Sequence, residues 1–292
     1  MRHAYLIMSH DNFYNLKKLL SLLDAEFNDI YLHIDKKVEN FNFNEYKNIC
    51  KKSNIFFVDR TTVYWGTYSQ VEAQINLLKV AVSKKYSYYH FLSGSDLPIK
   101  EQEYIYNFFN TNSGKEFLGF AKEYNNNYIS KNYYLVKFFR NKNFFISYFA
   151  KKISAYIVNI QKILDIDKTK KYNLIIKKGT DWYSITHKSA LYLIEQEVIF
   201  KKLFNKSLHP GEFFAHTILF NSHFKDNIYN LVEENEGSLR LIDWDRGKPY
   251  IFREEDYNEI MNSKQLFARK FNERTDKKII DMIFNRLKKD LK

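Results

Sequence analysis

Apolar positions along the chain alternate between strand-like runs and helical periods. Ala4 to Met8 is a short apolar run that reads as a buried strand, and Leu16, Leu19, Leu20 and Leu23 then recur at helical spacing. Asp29 to Asp35 reads as a second strand ending on a carboxylate, which completes a β-α-β opening of the nucleotide-binding α/β kind. Ile55 to Val58 predicts a third strand, and Val71, Ile75, Leu78 and Val82 carry the next helix. A buried strand over Tyr88 to Leu92 runs into Ser93-Gly94-Ser95-Asp96-Leu97-Pro98. Beyond it, Ala190, Leu191 and Ile194 mark a helix, and Pro210 opens another that holds Glu212 in its first turn. Leu239 to Trp244 mostly alternates as a short strand stopped by Gly247 and Pro249. Ile260, Leu266, Phe267 and Phe271 lie near helical spacing, with Asn262-Ser263 as a break, and Ile280, Ile283, Phe284, Leu287 and Leu291 share one face of a final helix.

Composition bounds the architecture. With 45% hydrophobic residues, 8 Gly, 3 Pro and no internal repeat, the chain is expected to form one domain over 1–271, with 272–292 as an amphipathic helix packed on it. A single cysteine, Cys50, excludes an internal disulfide framework, and no Cys/His cluster has zinc spacing. The formal charge of +12 favours an anionic partner: nucleic acid, an acidic membrane surface or a phosphorylated substrate. The excess of Lys, Asn, Ile, Tyr and Phe matches an AT-rich genome, so part of that charge reflects codon usage. The N-terminal apolar run of about five residues is too short for a signal peptide, and no window approaches the roughly 18 residues of a membrane span. The expected location is the cytoplasm, with the inner face of the membrane as a peripheral variant.

Candidate chemistry concentrates between Arg240 and Phe271. Arg240, Arg246, Lys248, Arg269 and Lys270 surround a Gly-Lys-Pro turn, a set suited to phosphate oxygens. A solvated basic edge is the bland alternative. Asp35 at a strand end is a candidate for a nucleobase or ribose contact, against a polar turn. The Ser-Gly-Ser-Asp ending at Asp96 offers one carboxylate where an Asp-x-Asp would hold a divalent metal, and a lone carboxylate is a poor site for Mg²⁺ or Mn²⁺. Metal independence follows as the expectation. Glu212 is either a helix-dipole partner or a catalytic carboxylate.

Arg240-Leu241-Ile242-Asp243-Trp244-Asp245, Pro249, Glu254-Glu255-Asp256 and Leu266-Phe267-Ala268-Arg269-Lys270-Phe271 together resemble the core-2/I-branching β-1,6-N-acetylglucosaminyltransferase family, glycosyltransferase family 14, which includes the protein O-xylosyltransferases. The resemblance implies a GT-A-like nucleotide-sugar-binding α/β fold with a mixed central sheet flanked by helices. It implies an inverting, metal-independent glycosyltransferase with no cofactor, moving GlcNAc or xylose from a UDP-sugar to a hydroxyl of a glycan or lipid-linked glycan. A bacterial-type member acting in surface polysaccharide synthesis is expected.

The same resemblance distributes roles. Glu212, in Pro-Gly-Glu where the family has Pro-Asp-Glu, takes the base. Asp35, and less strongly His10, inherit the nucleobase pocket; Arg60, beside Trp65-Gly66, is a further donor contact. Lys270 inherits the diphosphate, together with an Arg for which spacing admits Arg240 and Arg246, the latter ranked ahead. Asp96, Trp182, Tyr183, Asp243 and Asp245 fall to the acceptor side, with packing as the competitor for Trp182. In the xylosyltransferases a similar Asp-Trp-Asp occurs, so Asp243 and Asp245 orient the basic residues or the acceptor, or hold a cation. Residues 120–178 fit the family least. Their aromatic-basic stretch, with Phe138-Phe139-Arg140-Asn141-Lys142-Asn143-Phe144-Phe145, reads as a nucleic-acid channel, an anionic-membrane contact or, preferred, helices packing an aromatic face on the core. A basic nucleic-acid-binding protein and a non-catalytic peripheral membrane protein are the competing functions; no nucleic-acid partner is expected, because no recognition motif is present and charge is spread along the chain.

Overall fold

The computed structural model describes residues 1–121, 128–139 and 144–289. Arg140, Asn141, Lys142 and Asn143 of the aromatic-basic stretch, and Leu291 of the last helix, lie outside the described residues. In chain order the strands are β1 (His3–Ser9), β2 (Asn28–Ile34), β3 (Asn54–Phe57), β4 (Tyr88–Ser93), β5 (Leu97–Pro98), β6 (Ser184–Thr186), β7 (Arg240–Ile242) and β8 (Phe267–Arg269). The helices are α1 (Phe13–Leu22), α2 (Phe43–Lys47), α3 (Ser69–Ala81), α4 (Gln102–Thr111), α5 (Tyr128–Lys131), α6 (Phe144–Ile163), α7 (His187–Glu195), α8 (Glu197–Phe204), α9 (Phe214–Phe220), α10 (Glu234–Ser238), α11 (Tyr257–Asn262) and α12 (Lys277–Lys289).

The main sheet runs β3-β2-β1-β4-β6, parallel except for antiparallel β6. Because successive strand side chains point to opposite faces, β1 feeds two cores. Ala4 and Leu6 join α3, α7, α8 and α9 on one face, while Tyr5 and Ile7 join α1, α4, α11 and α12 on the other. The result is a mixed sheet flanked by helices, the architecture the resemblance implies. Strand order reverses between β1 and β4, so the loops after these strands diverge and leave a crevice at their C-terminal ends.

A second sheet, β5-β8-β7, closes this crevice from the side. It overturns one expectation: Phe267 to Arg269 is a strand, paired parallel to β7 and antiparallel to β5, not part of a helix. Leu266, Phe267, Ala268 and Phe271 are all buried, and a run covered on every side carries no periodicity that separates helix from strand. The last helix buries Ile279, Ile280, Ile283 and Leu287 in the second of these cores.

The aromatic-basic stretch overturns a second expectation. Helix α6 turns Ala150, Ser154, Val158 and Gln161 inward and leaves Phe149, Ile153, Tyr156 and Ile160 exposed. Polar partners select that face: the Gln161 amide accepts from Tyr133 N (2.9 Å) and donates to Tyr133 O (3.0 Å), and Ser154 Oγ accepts from Leu135 N. No described helix is long and apolar enough to cross a membrane.

Candidate active site

The crevice between the two sheets is a cleft of about 1160 Å³. Its floor comes from the C-terminal ends of β1 (Ser9, His10, Asp11), β2 (Asp35, Lys37) and β4 (Ser93, Gly94, Ser95). The β1 and β4 loops touch at Gly94, where a Cβ would lie 2.4 Å from Ser9 Oγ. Asp35 is buried at the end of β2, with its Oδ1 accepting from Lys37 N (2.9 Å) and its Oδ2 3.2 Å from Lys37 Nζ. His10 lines the same end.

One wall is basic. The β7/β8 pairing carries Arg269 and Lys270 to the cleft. Arg269 lies with its guanidinium 4.5 Å from the Trp182 ring centre and Nε 3.6 Å from Asp96 Oδ1; its buried Nη1 has no protein partner. A held guanidinium with a spare donor suits an anionic oxygen.

The cleft also carries two carboxylates. Glu212 sits in a 3-10 turn, Pro210–Glu212, ahead of α9 rather than within it, and its Oε2 is 3.1 Å from Lys178 Nζ. Asp181 stands beside Glu212, reached by a polar relay in which Tyr183 OH donates to Gln74 Oε1 (2.9 Å) and Gln74 Nε2 donates to Asp181 Oδ1 (3.3 Å). Burial, reinforced by the neighbouring Glu212 charge and opposed by Arg269 and Gln74, pushes the Asp181 carboxyl up to about 7. The close approach depends on Gly211, where a Cβ would lie 2.0 Å from Asp181 Oδ1. The Asp missing from Pro-Gly-Glu thus leaves room that another carboxylate fills. Trp65, 65% exposed, stands at the rim with its ring 4.5 Å from that of His209.

His10, Asp35, Trp182, Glu212, Asp243, Asp245 and Lys270 all line this one cleft, although distant in sequence. Five expected contacts do not. Arg240 is fully buried beneath the floor, donating to Phe91 O (3.2 Å), Tyr183 O (3.0 Å), Ser184 Oγ (2.9 Å) and Ser238 O, so it ties the second sheet to the first. Arg246 is held by Asp243, Asp256 (2.6 Å) and Glu259 (2.8 Å) outside the cleft. Arg60 donates to Ile34 O (3.1 Å), Asp35 O (2.7 Å) and Val38 O, bracing the Asp35 turn from behind. Asp96 is buried, accepting from Ser93 N and Ser93 Oγ (both 2.8 Å), and Tyr183 is buried at the head of the relay. Asp243 holds Arg246, whose guanidinium three acidic groups occupy.

Sequence reasoning assigned no role to Asp181, and placed Arg269 only within the basic set, without a contact of its own. The signal for each was present, as the residue directly before Trp182 and the residue directly before Lys270.

Residues 3–266 match the profile of the Core-2/I-branching enzyme. The chain belongs to this family. Among relatives of this Core-2/I-branching chain, xylosyltransferase sqv-6 of Caenorhabditis elegans is 27% identical over 286 residues, covering 89% of this chain and 33% of its own length. Xylosyltransferase 2 of Rattus norvegicus is 22% identical over 305 residues, covering 97% of this chain and again 33% of its own. The chain therefore spans about a third of the length of the curated relatives it matches. Mouse xyloside xylosyltransferase 1, in its apo form, overlays with a TM-score of 0.38 at 9% identity over 91% of this chain and 96% of that one.

Proposed function

We propose that this Core-2/I-branching chain is an inverting glycosyltransferase that moves a sugar from a UDP-sugar to a hydroxyl of a glycan or glycolipid. The observation that carries the reading is the gathering, in one cleft at the strand C-termini, of Arg269 and Lys270 with the carboxylates Asp181 and Glu212. Asp35 and His10, which line the cleft at the ends of β2 and β1, are the proposed nucleobase contacts. The names of the relatives favour xylose over GlcNAc as the sugar moved. A bacterial surface polysaccharide as acceptor draws no support from the relatives above, which are animal proteins.

In this mechanism the acceptor oxygen attacks the anomeric carbon while its proton passes to Glu212, and the bond from that carbon to the UDP β-phosphate oxygen breaks. A positioned base of this kind typically contributes about 10²–10⁴-fold. Arg269 and Lys270 receive the charge that develops on the leaving diphosphate, in a cleft whose walls strengthen such interactions. Ionisation of Asp181 adds a second negative charge beside Glu212 and makes the pair the stronger base above pH 7. Metal independence is supported by Asp96, a buried carboxylate whose oxygens are already engaged by Ser93 and neighboured by Arg269.

The test is thermal stability against a panel of UDP-sugars with and without EDTA, followed by a transfer assay with Glu212→Gln. A ligand at about 100 times its Kd adds roughly 2.7 kcal/mol, enough for a measurable shift. A shift with UDP-xylose that survives EDTA supports the reading; a shift lost in EDTA overturns the metal-free part. No shift with any UDP-sugar overturns the donor class, and full transfer by Glu212→Gln removes Glu212 as base.

A further inference from the structure

We propose that the outward face of α6 docks this protein on an anionic lipid surface. Phe149, Ile153, Tyr156, Ile160 and Ile163 recur at steps of four and three, so they form one stripe along the helix. A helix of a globular protein turns such a stripe toward its core; here Tyr156 is 67% exposed and Ile163 83%. The side that does pack is Ala150, Ser154, Val158 and Gln161, fixed by the hydrogen bonds to Tyr133 and Leu135. The large apolar face is therefore left over by the fold.

Charge selects the occupant. Between residues 144 and 163 the ionisable groups are Lys151, Lys152 and Lys162, together with the two tyrosines, and there is no Asp or Glu. The nearest downstream acids are already paired, Asp165 with Lys170 (2.6 Å) and Asp167 with Lys131 (3.5 Å). A second copy of this chain would bring a like-charged helix and another formal +12. Anionic headgroups bring the opposite charge, and the acyl boundary below them accepts the aromatic and aliphatic stripe. A nucleic acid would engage the lysines and leave the stripe in water. At 20 residues α6 has the length of many interfacial helices, and it is not apolar enough to span.

The placement relative to the cleft fits this role. The segment that holds α6 is bonded through Tyr134 N to Lys206 O (2.8 Å), and Lys168 Nζ donates to Ser207 Oγ. Two residues on, His209 meets Trp65 at the cleft rim. A lipid-linked acceptor would thus be presented beside the cleft mouth, a consequence that rests on the proposed activity, whereas docking itself does not.

The experiment is co-sedimentation of the full chain with vesicles of phosphatidylcholine alone or mixed with phosphatidylglycerol, using a Phe149→Ser/Ile153→Ser/Ile160→Ser variant and a Lys151→Gln/Lys152→Gln variant. The expected result is binding to the phosphatidylglycerol vesicles only, weakened about tenfold or more in each variant. An unchanged melting temperature shows that the exposed substitutions leave the fold intact. Wild-type protein that ignores the anionic vesicles overturns the proposal, as does a triple-serine variant that sediments like wild type. A wild-type dimer that the triple-serine variant loses, without vesicle binding, assigns the face to a second copy and overturns it equally.

Discussion

Replacing Asp181 by Asn separates its two roles, because the fold and the chemistry respond in opposite directions. The Asp181 carboxyl is raised from 3.8 to about 7, chiefly by burial. Raised above its unfolded value, it contributes stability that is fully present below about pH 4 and is lost as pH rises through about 7. A rise of roughly three units corresponds to about 4 kcal/mol as a ceiling. Asn keeps the shape, can still bond Gln74 and never ionises. Asp181→Asn is therefore expected to be more stable than wild type at pH 8, by up to about 4 kcal/mol or several degrees in Tm, and to converge with it toward pH 4. Transfer moves the other way. Wild-type turnover should rise with pH through about 7 as the second charge appears beside Glu212, whereas the variant should lack that rise and run about tenfold slower or worse. Thermal melts at pH 5, 6, 7 and 8 beside transfer rates at the same pH values provide the assay. Stability curves that stay parallel across the range, or a variant with the wild-type rate profile, would refute the argument.

Arg269→Ala and Lys270→Ala should each weaken UDP binding by about tenfold or more, since a charge-assisted hydrogen bond contributes about 1.5–3 kcal/mol; calorimetric titration with UDP checks this, and unchanged affinity in both removes the basic wall. Arg240→Met should leave UDP affinity alone in whatever protein folds but lower stability by about 3 kcal/mol or more, because buried carbonyls of Phe91 and Tyr183 lose their donor; urea denaturation measures it. Gly211→Ala forces a Cβ toward Asp181 Oδ1, 2.0 Å away, and should cost about 1–3 kcal/mol while shifting the wild-type pH profile; an unperturbed profile would detach Gly211 from the carboxylate pair.

The sequence by itself determined the opening strands and helices and named seven of the residues that line the cleft. Strand runs such as Ala4 to Met8 and helical repeats such as Leu16 to Leu23 are local patterns, so β1, α1, β2, α3 and β4 were legible without a partner in view. The strand-end position of Asp35 was legible for the same reason, whereas Glu212, read into the first turn of a helix, sits in a 3-10 turn ahead of it. What tertiary structure decided was which of several equivalent side chains reaches the cleft. Arg240, Arg246 and Arg269 are alike in composition and lie in one basic stretch, yet one braces the sheets, one is held by three carboxylates and one lines the site. That assignment hangs on the register of β7 against β8, where Ile242 rather than Arg240 stands opposite Arg269, and no local pattern encodes a register between strands more than twenty residues apart. The same holds for α6, whose periodicity defines two candidate faces. Only the polar partners supplied by Tyr133 and Leu135 determine that the small face turns inward and the large one to solvent.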